Sequence, residues 1–146
     1  MTDGAEAPSR AAVMDLLAAV KYAKDDEDVP RFEACWTRSA RLEITSNGAA
    51  IEPIEGRDAI MAFYRSVWET GGHGKADRRE VHVAEAPDII RKHDGTLVVR
   101  HAVSFFHTVS GEPVLRGFGQ FHDEMICEDG SLRIALRRST LVRSKS

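Results

Sequence analysis

The segment Gly117–Arg138 decides the fold and reads GFGQFHDEMICEDGSLRIALRR. Both halves alternate apolar with polar side chains, which is the pattern of a strand with two distinct faces. Between them, Asp129-Gly130 predicts a tight hairpin turn, because glycine adopts positive φ without a Cβ clash. The segment therefore predicts two long antiparallel strands.

The chain before this hairpin continues the same pattern back to Asp77. Turns at Asp94-Gly95 and Ser110-Gly111 separate apolar runs, so each pair of runs predicts a further hairpin. The predicted strands are residues 79–91, 97–108 and 114–127. Successive hairpins predict neighbouring antiparallel strands, so the second half of the chain is expected to be a meander.

The first half of the chain has helical spacing. Ser9 is a candidate N-cap for a first helix, whose apolar face is Val13, Leu16, Leu17 and Val20. That helix ends in the acidic run 24–28, where Asp28 can cap a second helix with Pro30 in its first turn. The second helix has an apolar stripe at Phe32, Cys35 and Trp36.

A short strand and a third helix follow. Strand 41–46 turns at Asn47-Gly48 and returns through residues 51–54. Helix three opens at Gly56-Arg57-Asp58 and ends at Gly71-Gly72, before a loop at 72–75 that we expect to be mobile. Its apolar stripe is Ile60, Phe63, Tyr64, Val67 and Trp68.

Helices followed by an antiparallel meander are typical of an α+β fold with the helices on one sheet face. Because long twisted strands curl, we expect a cone-shaped, strongly curved antiparallel sheet wrapped around the three N-terminal helices, an α+β barrel or cystatin-like roll. Such a cone leaves a cavity for a small hydrophobic molecule. Residues 9–142 form the predicted domain, between a disordered stretch at 1–8 and a basic tail at 143–146. Apolar residues on the outer sheet face predict a homodimer through that face.

Composition excludes several classes of protein. The 146 residues carry a net charge of −3, which gives no basic surface for nucleic acid. No apolar run approaches the length of a membrane span, and the N-terminus lacks the pattern of a signal peptide, so we expect a cytoplasmic protein. Cys35 and Cys127 fit neither a disulfide framework nor a metal site. Neither a metal nor another cofactor is predicted.

The chain resembles the SnoaL-like branch of the nuclear transport factor 2-like superfamily over residues 10–142. The motifs that carry the resemblance are the helix–acidic turn–helix start, Gly56-Arg57-Asp58-Ala59-Ile60, Gly119-x-Phe121-x-Asp123, and Asp129-Gly130-Ser131-Leu132-Arg133-Ile134 followed by Arg137. Leu132 departs from the tryptophan that is common in the family. The superfamily includes dehydratases, ketosteroid isomerases, polyketide cyclases, epoxide hydrolases and non-catalytic binders, so the fold alone does not give the function.

The resemblance implies a catalytic pair of His82 and Asp25. Members similar to scytalone dehydratase pair a strand histidine with an aspartate at the end of helix one, and these positions match His82 and Asp25, with Asp26 as the alternative. An imidazole near neutral pKa can take a proton beside a leaving group while a carboxylate orients it. The dehydratases carry a tyrosine where this chain has Lys24. A solvated acidic turn and a structural histidine are the alternative interpretation.

His101 and His107 lie on one face of the next predicted strand. His101 could donate to a substrate carbonyl, accept a proton, or bond Tyr64 or the backbone. His82, His101 and His122 lie on adjacent strands, but no spacing among them predicts a metal site.

The opening hairpin offers a further candidate pair, Asp123 with Arg137 or Arg138. Strands paired directly from the Asp129-Gly130 turn would place Asp123 opposite Leu136 and diagonal to Arg138. We therefore expect an ion pair that fixes register and belongs to the dimer face. Limonene-epoxide-hydrolase-like relatives activate water with an Asp-Arg-Asp set, and here Glu85 is the remaining candidate for the second acid.

The predicted activity is a cofactor-independent lyase or isomerase, dehydratase- or cyclase-like, acting on a small hydrophobic cyclic compound. His82 is the predicted base, Asp25 orients it, and His101 or Tyr64 polarises the substrate. The residues predicted to bind the substrate are Tyr64, Trp68, Phe105, Phe118 and Phe121. Two alternatives remain: a non-catalytic ligand-binding or scaffolding module, and an accessory subunit of a ring-hydroxylating oxygenase.

Overall fold

A computed structural model of the chain describes residues 7–71 and 80–144. Its elements are α1 Arg10–Asp25, α2 Val29–Glu33, β1 Trp36–Ser46, β2 Ala49–Ala50, β3 Ile54–Glu55, α3 Arg57–Gly71, β4 Glu80–Ala84, β5 Asp88–Arg91, β6 Leu97–Val109, β7 Glu112–Glu128 and β8 Ser131–Arg143. Most of the stretch predicted to be disordered, the loop predicted at 72–75 and the last two residues of the basic tail lie outside the described residues.

The helix starts follow from their capping residues. The Ser9 side chain accepts a hydrogen bond from the backbone N–H of Ala12, and Asp28 accepts one from Arg31. The predicted continuation of the second helical stripe to Trp36 is wrong, because α2 ends at Glu33 and Trp36 begins β1. The chain leaves the helix there because the backbone N–H of Ile134 on β8 donates a hydrogen bond to the Cys35 carbonyl. This bond joins the chain after α2 to the sheet.

The β7–β8 hairpin forms at the predicted turn but changes register within the strands. Asp129 and Gly130 both have positive φ, and the pairing continues to Met125 opposite Ile134. A β-bulge at the next step then shifts the register by one residue, which places Arg137 opposite Asp123. The predicted partner, Leu136, is therefore wrong. Because side chains alternate between faces, this shift also moves Arg137 to the interior face of the sheet.

The strands form one eight-stranded sheet with the path β2-β1-β8-β7-β6-β4, while β3 also pairs with β1 and β5 with β6. The meander is antiparallel as predicted, and β1 joins its end by pairing parallel to β8. The single strand predicted over 79–91 is wrong: β4 and β5 pair separately with β6. Pro87 lies in the break between them, and proline has no N–H to donate to a continuous ladder.

The core lies between the three helices and the concave sheet face. It includes Val13 and Val20 of α1, Phe32 of α2, Ile60 of α3 and Met125 of β7, all almost fully buried. The observed architecture is thus the predicted α+β fold.

Candidate active site

A cavity of about 280 Å³ lies between α1, α3 and the interior face of the sheet. Its apolar wall includes Leu17, Val20, Phe63, Tyr64, Val103, Phe105, Phe121 and Leu141. Its polar wall includes Lys21, Lys24, Glu80, His82, His101, Arg137, Ser139 and Arg143. Three of the five residues predicted to bind substrate, Tyr64, Phe105 and Phe121, therefore line this space.

Phe118 and Trp68 do not line the cavity, contrary to the sequence-based expectation. Phe118 is 54% exposed and lies on the outer face of the sheet. Gly119 and Phe121 are an odd number of positions from it, so they point to the opposite, interior face, where Phe121 lines the cavity. The Trp68 ring packs against Phe32, and its Nε1 donates to the carbonyl oxygen of Lys24 at 3.1 Å. Trp68 thus fixes the end of α1 from behind the cavity wall.

His82 and Asp25 are in direct contact. Asp25, the last residue of α1, lies with one carboxylate oxygen 2.5 Å from Nδ1 of His82 on β4. The other oxygen accepts the backbone N–H of His82 at 3.0 Å. Both side chains are 9% exposed, whereas Asp26 is exposed and forms the helix C-cap. Asp25 is therefore the acid of the pair, and its two hydrogen bonds fix both the ring and the strand.

The hydrogen bond to Asp25 determines which His82 nitrogen carries a lone pair. A carboxylate accepts, so Nδ1 carries the proton and Nε2 is left with its lone pair. Burial lowers the pKa of His82 below its ordinary value, and the Asp25 hydrogen bond offsets this only in part. His82 is therefore neutral at pH 7, which is the state of a general base.

Glu80 connects the base, His82, to two further groups, Lys24 and His107. Its carboxylate lies 3.3 Å from Nε2 of His82, 3.3 Å from Nζ of Lys24 and 2.9 Å from Nε2 of His107. Burial alone would raise the pKa of Glu80, but Lys24, His82 and His107 together hold it at about 2. Glu80 is thus a fixed negative charge beside Nε2. Sequence reasoning missed this residue, although it lies two positions before His82 and therefore on the same strand face.

A second buried cluster joins β6, β7 and β8. Arg137 donates two hydrogen bonds of 2.8 Å to Asp123, and Nε2 of His101 lies 3.0 Å from the same carboxylate. Asp123 is fully buried, and its pKa is low because Arg137 and His101 outweigh the opposing effect of burial. The prediction that Asp123 and the arginine lie on the dimer face is wrong, since the β-bulge turns Arg137 inward.

Tyr64 is a better placed hydrogen-bond donor than His101. The ring of His101 stacks on Phe121, and its Nδ1 is buried without a partner among the described residues. Because Nε2 of His101 contacts Asp123, only its Nδ1 remains for a further hydrogen bond. The Tyr64 hydroxyl has no hydrogen-bond partner in the described parts of the chain, and Tyr64 lines the cavity. Burial raises its pKa, so the hydroxyl stays protonated and can donate.

Residues 7–71 and 80–144 contain no cluster of possible metal ligands and no helix that could span a membrane. In those ranges no three His, Cys, Asp or Glu side chains converge as metal ligands. None of the helices there combines the length and apolar character needed to cross a membrane.

Residues 5–138 match the family model of the SnoaL-like domain. Curated proteins yielded no match to the chain. Similar solved structures include Aln2 from a Streptomyces species, with 18% identity, 92% of this chain and 93% of that chain covered, and a TM-score of 0.75.

Two proteins from Novosphingobium aromaticivorans are also similar. The β subunit of a putative aromatic-ring-hydroxylating dioxygenase has 16% identity, with 93% of this chain and 90% of that chain covered and a TM-score of 0.75. A putative scytalone dehydratase has 19% identity, with 90% and 82% covered and a TM-score of 0.69. At these identities the likeness extends to the fold alone.

Proposed function

We propose that this chain, which belongs to the SnoaL-like domain family, is a cofactor-independent lyase or isomerase that takes a proton from a small hydrophobic cyclic compound. The observation that carries the proposal is the contact of His82 with Asp25 at the wall of a cavity of about 280 Å³. A neutral imidazole oriented by a carboxylate beside an apolar space is the arrangement that general-base chemistry needs.

In the proposed reaction, Nε2 of His82 takes a proton from a ring carbon next to a carbonyl group. The electron pair of that C–H bond moves to the carbonyl oxygen and forms an enolate, whose charge accepts a hydrogen bond from the Tyr64 hydroxyl. In a lyase the enolate then expels a leaving group from the carbon next to the deprotonated one, and the imidazolium gives its proton to that leaving group. In an isomerase the imidazolium returns the proton to a different carbon.

The carboxylates of Asp25 and Glu80 offset part of the cost of protonating His82 during the reaction. Once Nε2 holds the proton, the imidazolium lies between the carboxylates of Asp25 and Glu80. Both carboxylates are held in place before the reaction by hydrogen bonds or ion pairs, so little reorganisation is needed when charge develops. Glu80 is therefore proposed as an electrostatic partner of the base.

Replacement of Asp25 by asparagine tests this proposal without a known substrate. The probe is 2-tetralone, whose α-protons exchange with D₂O through an enolate, and ¹H NMR follows the exchange rate. Asp25→Asn removes the charge that orients His82, so we expect exchange to slow by about 100-fold, the lower end of a general-base contribution. Asp26→Asn is the matched control, because Asp26 is the exposed neighbour, and its rate should stay within about twofold of the wild type.

Two outcomes would favour the alternatives. Equal rates for Asp25→Asn and Asp26→Asn would contradict the proposed pair. A wild-type protein that binds 2-tetralone without accelerating exchange would support a ligand-binding module. An accessory subunit of an oxygenase is the further alternative, and catalysis by the isolated chain would count against it.

The outer sheet face supports the proposal that the chain forms a homodimer. Val83, Ser104, Phe118 and Val142 lie opposite one another in a row across β4, β6, β7 and β8. The three apolar members of this row are each about half exposed. A second copy of the chain would remove this row from water.

Phe118→Glu should convert the dimer to a monomer, because each charge would be buried without a partner at the interface. Size-exclusion chromatography with light scattering measures the mass. Ile51→Glu is the control, since Ile51 is a similarly exposed apolar residue outside the row. A monomeric wild-type protein, or a dimeric Phe118→Glu variant, would overturn the dimer proposal.

A further inference from the structure

The cavity wall carries more positive charge than the proposed proton transfer uses. Lys21, Lys24, Arg137 and Arg143 all line it. Lys24 is paired with Glu80, and Arg137 with Asp123. Lys21 and Arg143 form no ion pair with any residue in the described ranges.

The two cations without acidic partners are both held against aromatic rings. The Nζ of Lys21 lies 3.6 Å from the ring centroid of Tyr22, and the guanidinium carbon of Arg143 lies 4.9 Å from that of Phe105. Phe105 is itself buried and lines the cavity, so Arg143 lies where the apolar wall meets solvent. Cation–π contact leaves the N–H groups of a guanidinium free to bind an anion.

The backbone beside Arg143 is shaped for this contact. Gly117 pairs with Arg143 on one side and with Phe105 on the other. A Cβ at Gly117 would lie 2.7 Å from the Phe105 ring and 2.1 Å from the carbonyl oxygen of Val142, so a side chain cannot be accommodated there. The missing side chain lets the Phe105 ring lie under the arginine.

We propose that the substrate of the activity inferred above is an anion, specifically a cyclic carboxylic acid. Its apolar ring packs against the aromatic wall formed by Phe105 and Phe121, and its carboxylate binds Lys21 and Arg143. This proposal rests on the proposed function, because that function identifies the cavity as the substrate site. It adds the charge of the substrate, which neither the fold nor the His82–Asp25 pair determines.

The charge of the ligand is tested with two probes of nearly equal shape, 2-naphthoate and 2-naphthamide, by isothermal titration calorimetry. Two partly exposed ion pairs give about a tenfold preference for the carboxylate. That preference should weaken at high salt, which screens such pairs. Replacing both cations, in a Lys21→Gln/Arg143→Gln variant, should abolish it.

Arg138→Gln is the matched control. Arg138 lies on the same strand as Arg143 but pairs with Glu43 and does not line the cavity, so its variant should keep the preference. Failure of 2-naphthoate to bind, equal binding of the two probes, or a preference that survives the double substitution would overturn the inference.

Both assays on the wild type and on a His82→Gln variant distinguish this inference from the proposed catalysis. His82→Gln should keep the preference for 2-naphthoate while losing the exchange of 2-tetralone. A wild-type protein that prefers 2-naphthoate but does not accelerate exchange would refute the catalysis and support the anion site. Exchange without any preference would refute the anion site alone.

Discussion

Replacing His82 with glutamine is expected to slow the α-proton exchange of 2-tetralone by about 100- to 10,000-fold, the range that a general base contributes. The amide of glutamine can still donate to Asp25, and the backbone N–H of residue 82 keeps its own bond to that carboxylate. The lone pair at Nε2 is lost. We therefore expect a large loss of rate with little loss of stability, measured by ¹H NMR exchange and by urea unfolding.

The control for this substitution is His93→Gln. His93 is exposed in the turn between β5 and β6, so its variant should exchange 2-tetralone at the wild-type rate. A His82→Gln protein that is folded and fully active would show that His82 is a structural histidine. Marked unfolding of His82→Gln together with residual activity would point the same way.

The second large effect is expected from the buried pair of Asp123 and Arg137. Arg137→Met leaves the fully buried Asp123 carboxylate without its strongest partner, which costs about 3–5 kcal/mol of unfolding free energy. This is a large share of the about 5–15 kcal/mol that typically stabilises a domain. Urea unfolding measures the change, and the adjacent Arg138→Met, which breaks an exposed pair with Glu43, should cost less than about 1 kcal/mol.

A double variant keeps this prediction testable if Arg137→Met fails to fold. Asp123→Leu/Arg137→Met removes both charges, so no unpaired charge remains in the interior. Its stability should exceed that of Arg137→Met, because replacing a whole buried pair by apolar residues is often neutral. It should stay somewhat below the wild-type value, because His101 loses its hydrogen-bond partner Asp123. Equal stability of the Arg137→Met and Arg138→Met variants would contradict the burial of this pair.

The β7–β8 hairpin shows how much of the sheet can be predicted from its turn residues. Asp129-Gly130 correctly predicts the turn and the strand pairing up to Met125 opposite Ile134. The β-bulge that follows has no glycine or proline to mark it, and the alternation in residues 134–138 is compatible with either register. One unpaired residue therefore reversed the face of Arg137, and the buried cluster could not be anticipated from the pattern.

The candidate site could be predicted in part, for similar reasons. His82 and Asp25 are 57 residues apart, so the resemblance to a family, and not local spacing, brought them together. Glu80 and Lys24 are charged residues at the ends of β4 and α1, where a solvated side chain is the usual expectation. Their pairing depends on how α1 packs against β4. Phe118 was misassigned because aromatic character does not indicate which strand face a residue occupies.

The pH dependence of 2-tetralone exchange, compared with an NMR titration of the His82 imidazole, tests the central claim most directly. Burial disfavours the imidazolium, so the pKa of His82 should lie below its ordinary value of 6.5. Only the neutral ring accepts a proton, so the rate should rise with pH and level off above that same pKa. A rate profile that follows a different pKa, or a His82 pKa above 6.5, would contradict the account.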